Sequence, residues 1–325
     1  MLPQPASHHA MGSVDLGAQW IAAIRAGDWE AAWQINDRVL AARDPATQDD
    51  PTLPYHLRWV WDGTPPDGKP VLVRCYHGLG DTVQFARYLP VLRERAARVT
   101  LEVHPDLAGL LGATPGVDRV VPFQLDAPLP PEPCTLEIME IAHVLRLPPP
   151  PAPYLAAPSA PPETRPLRVG LCWQAGGWDP ARSVPLALLA PIARLPGVVL
   201  VSLQRGPAAE EVLAPDAPPF LNPRDRSLDA AETARLIAGL HLVVTVDTVV
   251  AHLAGAMGRL GWVLLRRDAD WRWPQAADAA PWYPSLRLAR QDEEGDWTDP
   301  VGDVTSAVAA EVSRLARVRR ARVGS

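Results

Sequence analysis

The chain has 325 residues, 47% of them hydrophobic and 21% charged, which is enough to bury the cores of two ordinary domains. Its net charge of −6 excludes a broad nucleic-acid footprint, and its single lysine, Lys69, leaves arginines and backbone N–H groups to make any anion clamp. Cys75, Cys134 and Cys172 are too few and too scattered for a disulfide framework, and the eight histidines show no metal-ligand spacing, so no metal site is expected.

In chain order, residues 1–14 read as a disordered tail; its SHHAMGS stretch is left out of the fold reading. Residues 15–50 read as two short amphipathic helices broken near Gly27-Asp28, with Trp20, Ile24, Trp29, Ala32, Trp33 and Leu40 on their apolar sides. The pair is similar to one tetratricopeptide hairpin, which must lean on another element to bury its face.

From residue 51 to 147 strands and helices alternate, with strands at Val71–Tyr76, Val99–Val103, Arg119–Phe123 and Thr135–Ile138. Residues 148–166 are too proline-rich for regular structure and read as a stiff linker. The alternation restarts over residues 167–298. Strands are expected at Arg168–Gln174, Val198–Gln204, Leu242–Asp247 and Gly261–Leu265, and helices at Leu186–Leu195, Leu228–Gly239 and Val249–Met257. Two such series imply two Rossmann-like parallel-sheet domains facing a cleft, an α/β architecture.

Residues 299–325 read as a C-terminal helix ending in Arg314, Arg317, Arg319, Arg320 and Arg322. Cations there complement the helix dipole; weak contact with a membrane surface is the alternative. No apolar run approaches the roughly 18 residues of a membrane span, so a soluble cytoplasmic protein without a transmembrane segment is expected.

Ligands of open α/β sheets bind beyond the carboxyl ends of the strands. The first domain places Gly78, Gly80 and Asp81 there. Glycines suit a turn, and aspartate suits a helix start; the same turn also lets a substrate approach the backbone. Val83 stands where the dinucleotide fingerprint has its third glycine, which argues against a nicotinamide enzyme. The second domain places Trp173 and Gln174, then AGGWDPARS with Arg182, then Gln204 and Gly206, then Asp247 and Thr248. The last pair opens a helix carrying small residues and His252, one turn on from Thr248. Asp-Thr can cap that helix, and its N-terminus can hold a diphosphate. His252 reads first as a packed core residue, with a ligand role the alternative.

GLGDTVQFARYLP, VGLCWQ…RSVPL, VSLQRG, VDTVVAHLAGAMG and DADWRWPQAADAAPWYPSLRLARQ follow one another in this order. Together they resemble the bacterial glycosyltransferase family 9, the heptosyltransferases, over about residues 50 to 298, and most of all the branch that follows tetratricopeptide repeats. The resemblance implies a GT-B fold, inversion at the anomeric carbon, no metal, no cofactor, an ADP- or other nucleotide-sugar donor and a glycan or protein acceptor. It places Asp81 on the aspartate proposed in that family as general base, and Asp247 and Thr248 on the pair holding the donor's diphosphate and sugar. It puts Arg182 near a basic donor-phosphate contact, Gln204 and Gly206 beside the nucleoside, and His252 on the family's histidine. The chain departs from the branch in its short AGGWDPA loop and in Arg266-Arg267, where Pro-Phe is usual. Those departures favour a second reading, a catalytically silent module that binds sugar nucleotides or acts as a scaffold.

Overall fold

A computed structural model describes residues 15–124, 126–156, 166–177, 179–221, 229–275 and 279–323, with side chains described to residue 317 in the last helix. The expected tail, residues 157–165 of the proline-rich stretch, Trp178, Leu228 and the side chains of Arg319, Arg320 and Arg322 lie outside that description. The chain divides into two compact units, one ending at Pro151 and the other beginning at Ala152.

The first unit opens with a helical hairpin, α1 (Leu16–Arg25) and α2 (Trp29–Ala41). Asp15 and Asp28 cap the two helices by accepting backbone N–H groups, and Gly27 makes the turn at φ +71°. Trp20 and Trp33 are buried. Asp37 on α2 reaches His143 (2.8 Å) and Arg146, so the hairpin leans on the end of this same unit.

Its sheet then forms from β1 (Pro70–Arg74), β2 (Arg98–Val103), β3 (Arg119–Pro122) and β4 (Cys134–Glu137), in the order β3-β2-β1-β4, all parallel. The helices α3 (Leu79–Phe85) and α4 (Leu89–Arg95) connect β1 to β2, α5 (Pro105–Leu111) connects β2 to β3, and α6 (Ile141–Leu145) follows β4. The chain starts at β1, walks out to β3, and returns to the other side of β1. The strand order therefore reverses between β1 and β4.

The second unit holds β5 (Leu167–Cys172), α7 (Ala190–Ala193), β6 (Val198–Ser202), α8 (Ala230–Ala238), β7 (Leu242–Val246), α9 (Val249–Ala256) and β8 (Gly261–Leu265). Two strands absent from the sequence reading follow, β9 (Ala279–Ala280) and β10 (Tyr283–Arg290), and then the long α10 (Thr298–Val323). The order is β6-β5-β7-β8-β10-β9, parallel except for β9. All five residues of β7 are buried, the continuous apolar run that a central parallel strand requires. The expected helix at Leu186–Leu195 is a 3-10 segment, Leu186–Leu189, running into one α-turn, because Pro191 lies within it. Here the order reverses between β5 and β7. Among the described residues no helix is long and apolar enough to cross a membrane.

Candidate functional site

Each sheet has one reversal of strand order, and open α/β sheets bind ligands at that point. In the first unit it lies between the ends of β1 and β4. The Gly78–Asp81 turn leaves β1 there. Asp81, at the third helical position of α3, accepts the Gly78 N–H at 3.0 Å, the one half of a capping box that a glycine N-cap allows. Gly78 is exposed, and Gly80 and Asp81 are half-buried. Gly78 sits at φ −62°, which any residue can adopt, so this turn does not need glycine for its backbone.

Beside the turn stands a pair the sequence reading did not single out. His77, just past β1, faces Glu137, the last residue of β4, with Nδ1 3.0 Å from Oε1. Glu137 is 1% exposed. Burial disfavours the charged form of both groups, but their mutual attraction prevails: His77 is held above its ordinary value of 6.5, helped by Asp81, and Glu137 below its ordinary 4.5. The other Glu137 oxygen accepts the Met139 N–H at 2.7 Å, and the Glu137 N–H donates to Glu140 at 2.9 Å. Arg43 donates to Glu140 at 2.9 Å and spans to the Trp61 carbonyl at 2.8 Å. One chain of polar contacts thus runs from the segment after the hairpin to the imidazole beside Asp81. The detectable signal was a charged residue ending an otherwise buried strand.

In the second unit the reversal brings together β5's end and the β7–α9 junction. Thr248 caps α9, accepting the Val250 N–H at 3.2 Å, and its hydroxyl lies 3.3 Å from Thr245 and 3.7 Å from the Cys172 sulfur. Gln204, beyond β6, accepts the N–H groups of Trp173 (3.0 Å) and Gln174 (2.9 Å), and the Cys172 thiol donates to it at 3.5 Å. A buried amide thus ties the ends of β5 and β6 together, and the Cys172–Thr248 contact extends that frame to β7. Gly206, at φ +72°, turns the chain into the 3-10 segment Pro207–Leu213.

Arg182 donates to the Asp247 carbonyl at 2.9 Å and lies 3.7 Å from its carboxylate. Asp247 is buried, and that burial, with Asp270 nearby, raises its pKa against the opposing pull of Arg182. Trp173 is fully enclosed; its indole N–H donates to Glu211 at 3.0 Å. His252 is buried with Nδ1 2.9 Å from the Tyr283 hydroxyl and its ring 5.8 Å from that of Trp273. Tyr283 belongs to β10, and a Cβ on Gly255 would come within 2.3 Å of its ring, so the small residues of α9 admit this close packing.

The structure therefore gathers Asp247, Thr248, Arg182, Gln174 and Gln204 around one strand-end frame, and sets His252 and Trp173 in the packing behind it. A cavity of about 500 Å³ adjoins the frame at Gln174 and extends over Ser183, Leu186, Glu211 and Asp216. Among the described residues no cluster of His, Cys, Asp and Glu side chains is placed to hold a metal.

No family model matches the chain. Protein FlbA of Caulobacter vibrioides is 29% identical over 150 residues, covering 43% of this chain, and the chain spans only 25% of that relative. Among solved structures, the family 9 glycosyltransferase of Veillonella parvula superposes with a TM-score of 0.53 at 13% identity, over 78% of this chain and 99% of that one. ADP-heptose LPS heptosyltransferase II of E. coli gives 0.54 at 15% identity, over 77% and 99%. E. coli heptosyltransferase WaaC, solved with ADP, gives 0.50 at 15% identity, over 75% and 98%. The chain has the fold of these proteins, a GT-B arrangement of two parallel-sheet α/β units, here with a helical hairpin in front.

Proposed function

We propose that the chain is an inverting, metal-independent glycosyltransferase, cytoplasmic, moving a sugar, such as a heptose, from a nucleoside-diphosphate donor to a hydroxyl of a glycan or protein. The nucleotide belongs to the second unit. The observation that carries this reading is the strand-end frame at the β5/β7 reversal, where Arg182 and the capped start of α9 supply positive potential for a leaving diphosphate. The likeness in fold to a heptosyltransferase solved with ADP makes an ADP-sugar the first donor to try. The adjoining cavity is of a size that suits a nucleoside.

In the reaction the acceptor oxygen bonds to the anomeric carbon as the bond to the diphosphate oxygen breaks. A base must take the hydroxyl proton, and the carboxylate of Asp81 fits that role in the first unit. Its helix-capping bond occupies Oδ2 and fixes the carboxylate's orientation. Arg182 and the α9 amides carry the leaving group's charge, which is why no metal is required.

The test is a panel of nucleotide sugars, scored by thermal shift and by release of nucleoside diphosphate, with EDTA in a parallel arm. Binding and EDTA-resistant release from one donor are expected. A silent binding module, the reading favoured by the short AGGWDPA loop, predicts binding without release with every acceptor tried. Release that stops in EDTA and returns with Mg²⁺ would overturn metal independence.

A further inference from the structure

Arg266 follows β8, in the position where the sequence departs from the family it resembles. Its guanidinium Nη1 lies 3.5 Å from Asp179 Oδ2, and Arg182 Nε lies 3.6 Å from the same oxygen. One carboxylate oxygen thus joins three loops, those after β5, β7 and β8, through two arginines. Both separations exceed the range of an N–H···O hydrogen bond, so Asp179 meets the arginines as a charge rather than as a hydrogen-bonded acceptor. Asp179 precedes a 3-10 turn, yet its side chain makes no capping bond there.

The arginines themselves are well anchored. Arg182 is aimed by the Asp247 carbonyl at 2.9 Å. The backbone beneath Arg266 is fixed by Arg290, which donates to the carbonyls of Arg266 (3.2 Å) and Arg267 (3.1 Å) and to that of Pro274 (2.9 Å). The Arg267 N–H is held in turn by Gln291 at 3.3 Å. The Arg266 side chain is 30% exposed, so solvent-borne anions can reach it.

We propose that Arg182 and Arg266 form a two-arginine clamp for a diphosphate, with Asp179 as an internal anion that competes for it. Arg182 alone gives one point of charge; Arg266 adds a second planar donor set from the loop after β8, which suits two linked phosphoryl groups better than one. The proposal rests on the reading of the second unit as a nucleotide site, and it adds a residue that decides between di- and monophosphates.

The test measures binding of inorganic pyrophosphate, ADP, UDP and AMP to the full chain by calorimetry, for wild type, R266Q and D179N. Thermal unfolding of each variant checks that it folds; Arg266 lies on a loop and is partly exposed. R266Q is expected to weaken pyrophosphate and nucleoside diphosphate by about tenfold, the equivalent of one charge-assisted contact, and AMP much less. D179N is expected to tighten the same ligands severalfold, because a competitor has been removed. Pyrophosphate binding as tight in R266Q as in wild type overturns the clamp, as does a wild type that binds none of the diphosphates. Equal weakening in D179N and R266Q makes Asp179 a prop and overturns its role as competitor. Wild type that binds pyrophosphate through Arg266 but no nucleotide leaves the clamp standing and removes the nucleotide-sugar reading.

Discussion

The two strand-order reversals meet the same electrostatic problem with different chemistry. Each buries a carboxylate at a strand end, Glu137 beside β1 and Asp247 at the end of β7. Glu137 is matched by a histidine, whose charge changes in ordinary pH; Asp247 is matched by an arginine, whose charge does not. The outcomes are opposite. His77 outweighs burial and holds Glu137 ionised, whereas burial and Asp270 outweigh Arg182 and push Asp247 toward its neutral form. The first site depends on a pair that works within a window of pH. The second keeps permanent positive charge and a carboxylate that can give up its own. That division suits a proton-handling side and an anion-holding side.

The sharpest way to break the comparison is to remove each cation. His77→Ala strands a charge that is fully buried, and about 3–5 kcal/mol of the first unit's stability is expected to go with it. Arg182→Ala leaves Asp247 able to take up a proton, so about 1–2 kcal/mol is expected there, together with weaker nucleotide binding. Denaturant unfolding of both variants compares them directly. Equal losses would mean that the two carboxylates are buried in the same sense.

The functional division makes a second forecast. Asn caps a helix as well as Asp but is a far poorer base. Asp81→Asn is therefore expected to fold and bind nucleotide normally while turnover falls by a factor on the order of 10². Near wild-type turnover would leave Asp81 only its capping role and move the base elsewhere, with His77 the nearest candidate.

The pH dependence follows from the signs. His77's raised value contributes stability that is whole below 6.5 and is lost as pH climbs through its folded value. Glu137's lowered value contributes stability that is whole above 4.5 and is lost as pH falls through its folded value. The pair therefore stabilises fully between about 4.5 and 6.5. Asp247 works the other way: its raised value favours the fold at low pH, and that contribution fades as pH rises above 3.8. His77→Gln should flatten the alkaline side of the melting curve against pH, by about 2–4 °C per kcal/mol, whereas Asp247→Asn should steepen the acid side, because it removes a contribution that favours the fold at low pH. Unchanged slopes in both would remove the contrast.

How much of this was legible in the sequence follows from burial. The β5–β8 strands were readable because central parallel strands are continuous apolar runs. The β10 strand was not, since YPSLRLAR has a proline at its second position and its burial keeps no clean period of two. Asp247 and Thr248 were found because they stand next to a strand end, and Arg182 because its loop after β5 carries part of the family resemblance. His77 stands there too, but its meaning depends on Glu137, sixty residues away and paired only through the β1–β4 register. The Asp179–Arg266 contact is hidden for the same reason: a strand order of β5-β7-β8 brings together loops that the chain keeps apart.

Gly78 gives the smallest and most discriminating test of the first site. Its backbone is extended at φ −62° and ψ 161°, so conformation alone would accept alanine. A Cβ there would lie 3.2 Å from Asp81 Oδ2, a contact that a carboxylate can relieve by shifting a few tenths of an ångström. Alanine is also a poorer N-cap than glycine, which adds a modest cost. Gly78→Ala should therefore lower stability by no more than about 1 kcal/mol. If glycine is there for the turn, activity will follow that small loss and KM will stay put. If it is there to admit the acceptor to the exposed backbone beside Asp81, the added methyl stands in the substrate's way, and KM for the acceptor should rise severalfold while nucleotide affinity in the second unit is unchanged. A rise in both would point to a general disturbance of the fold instead, and the circular dichroism melt would show it.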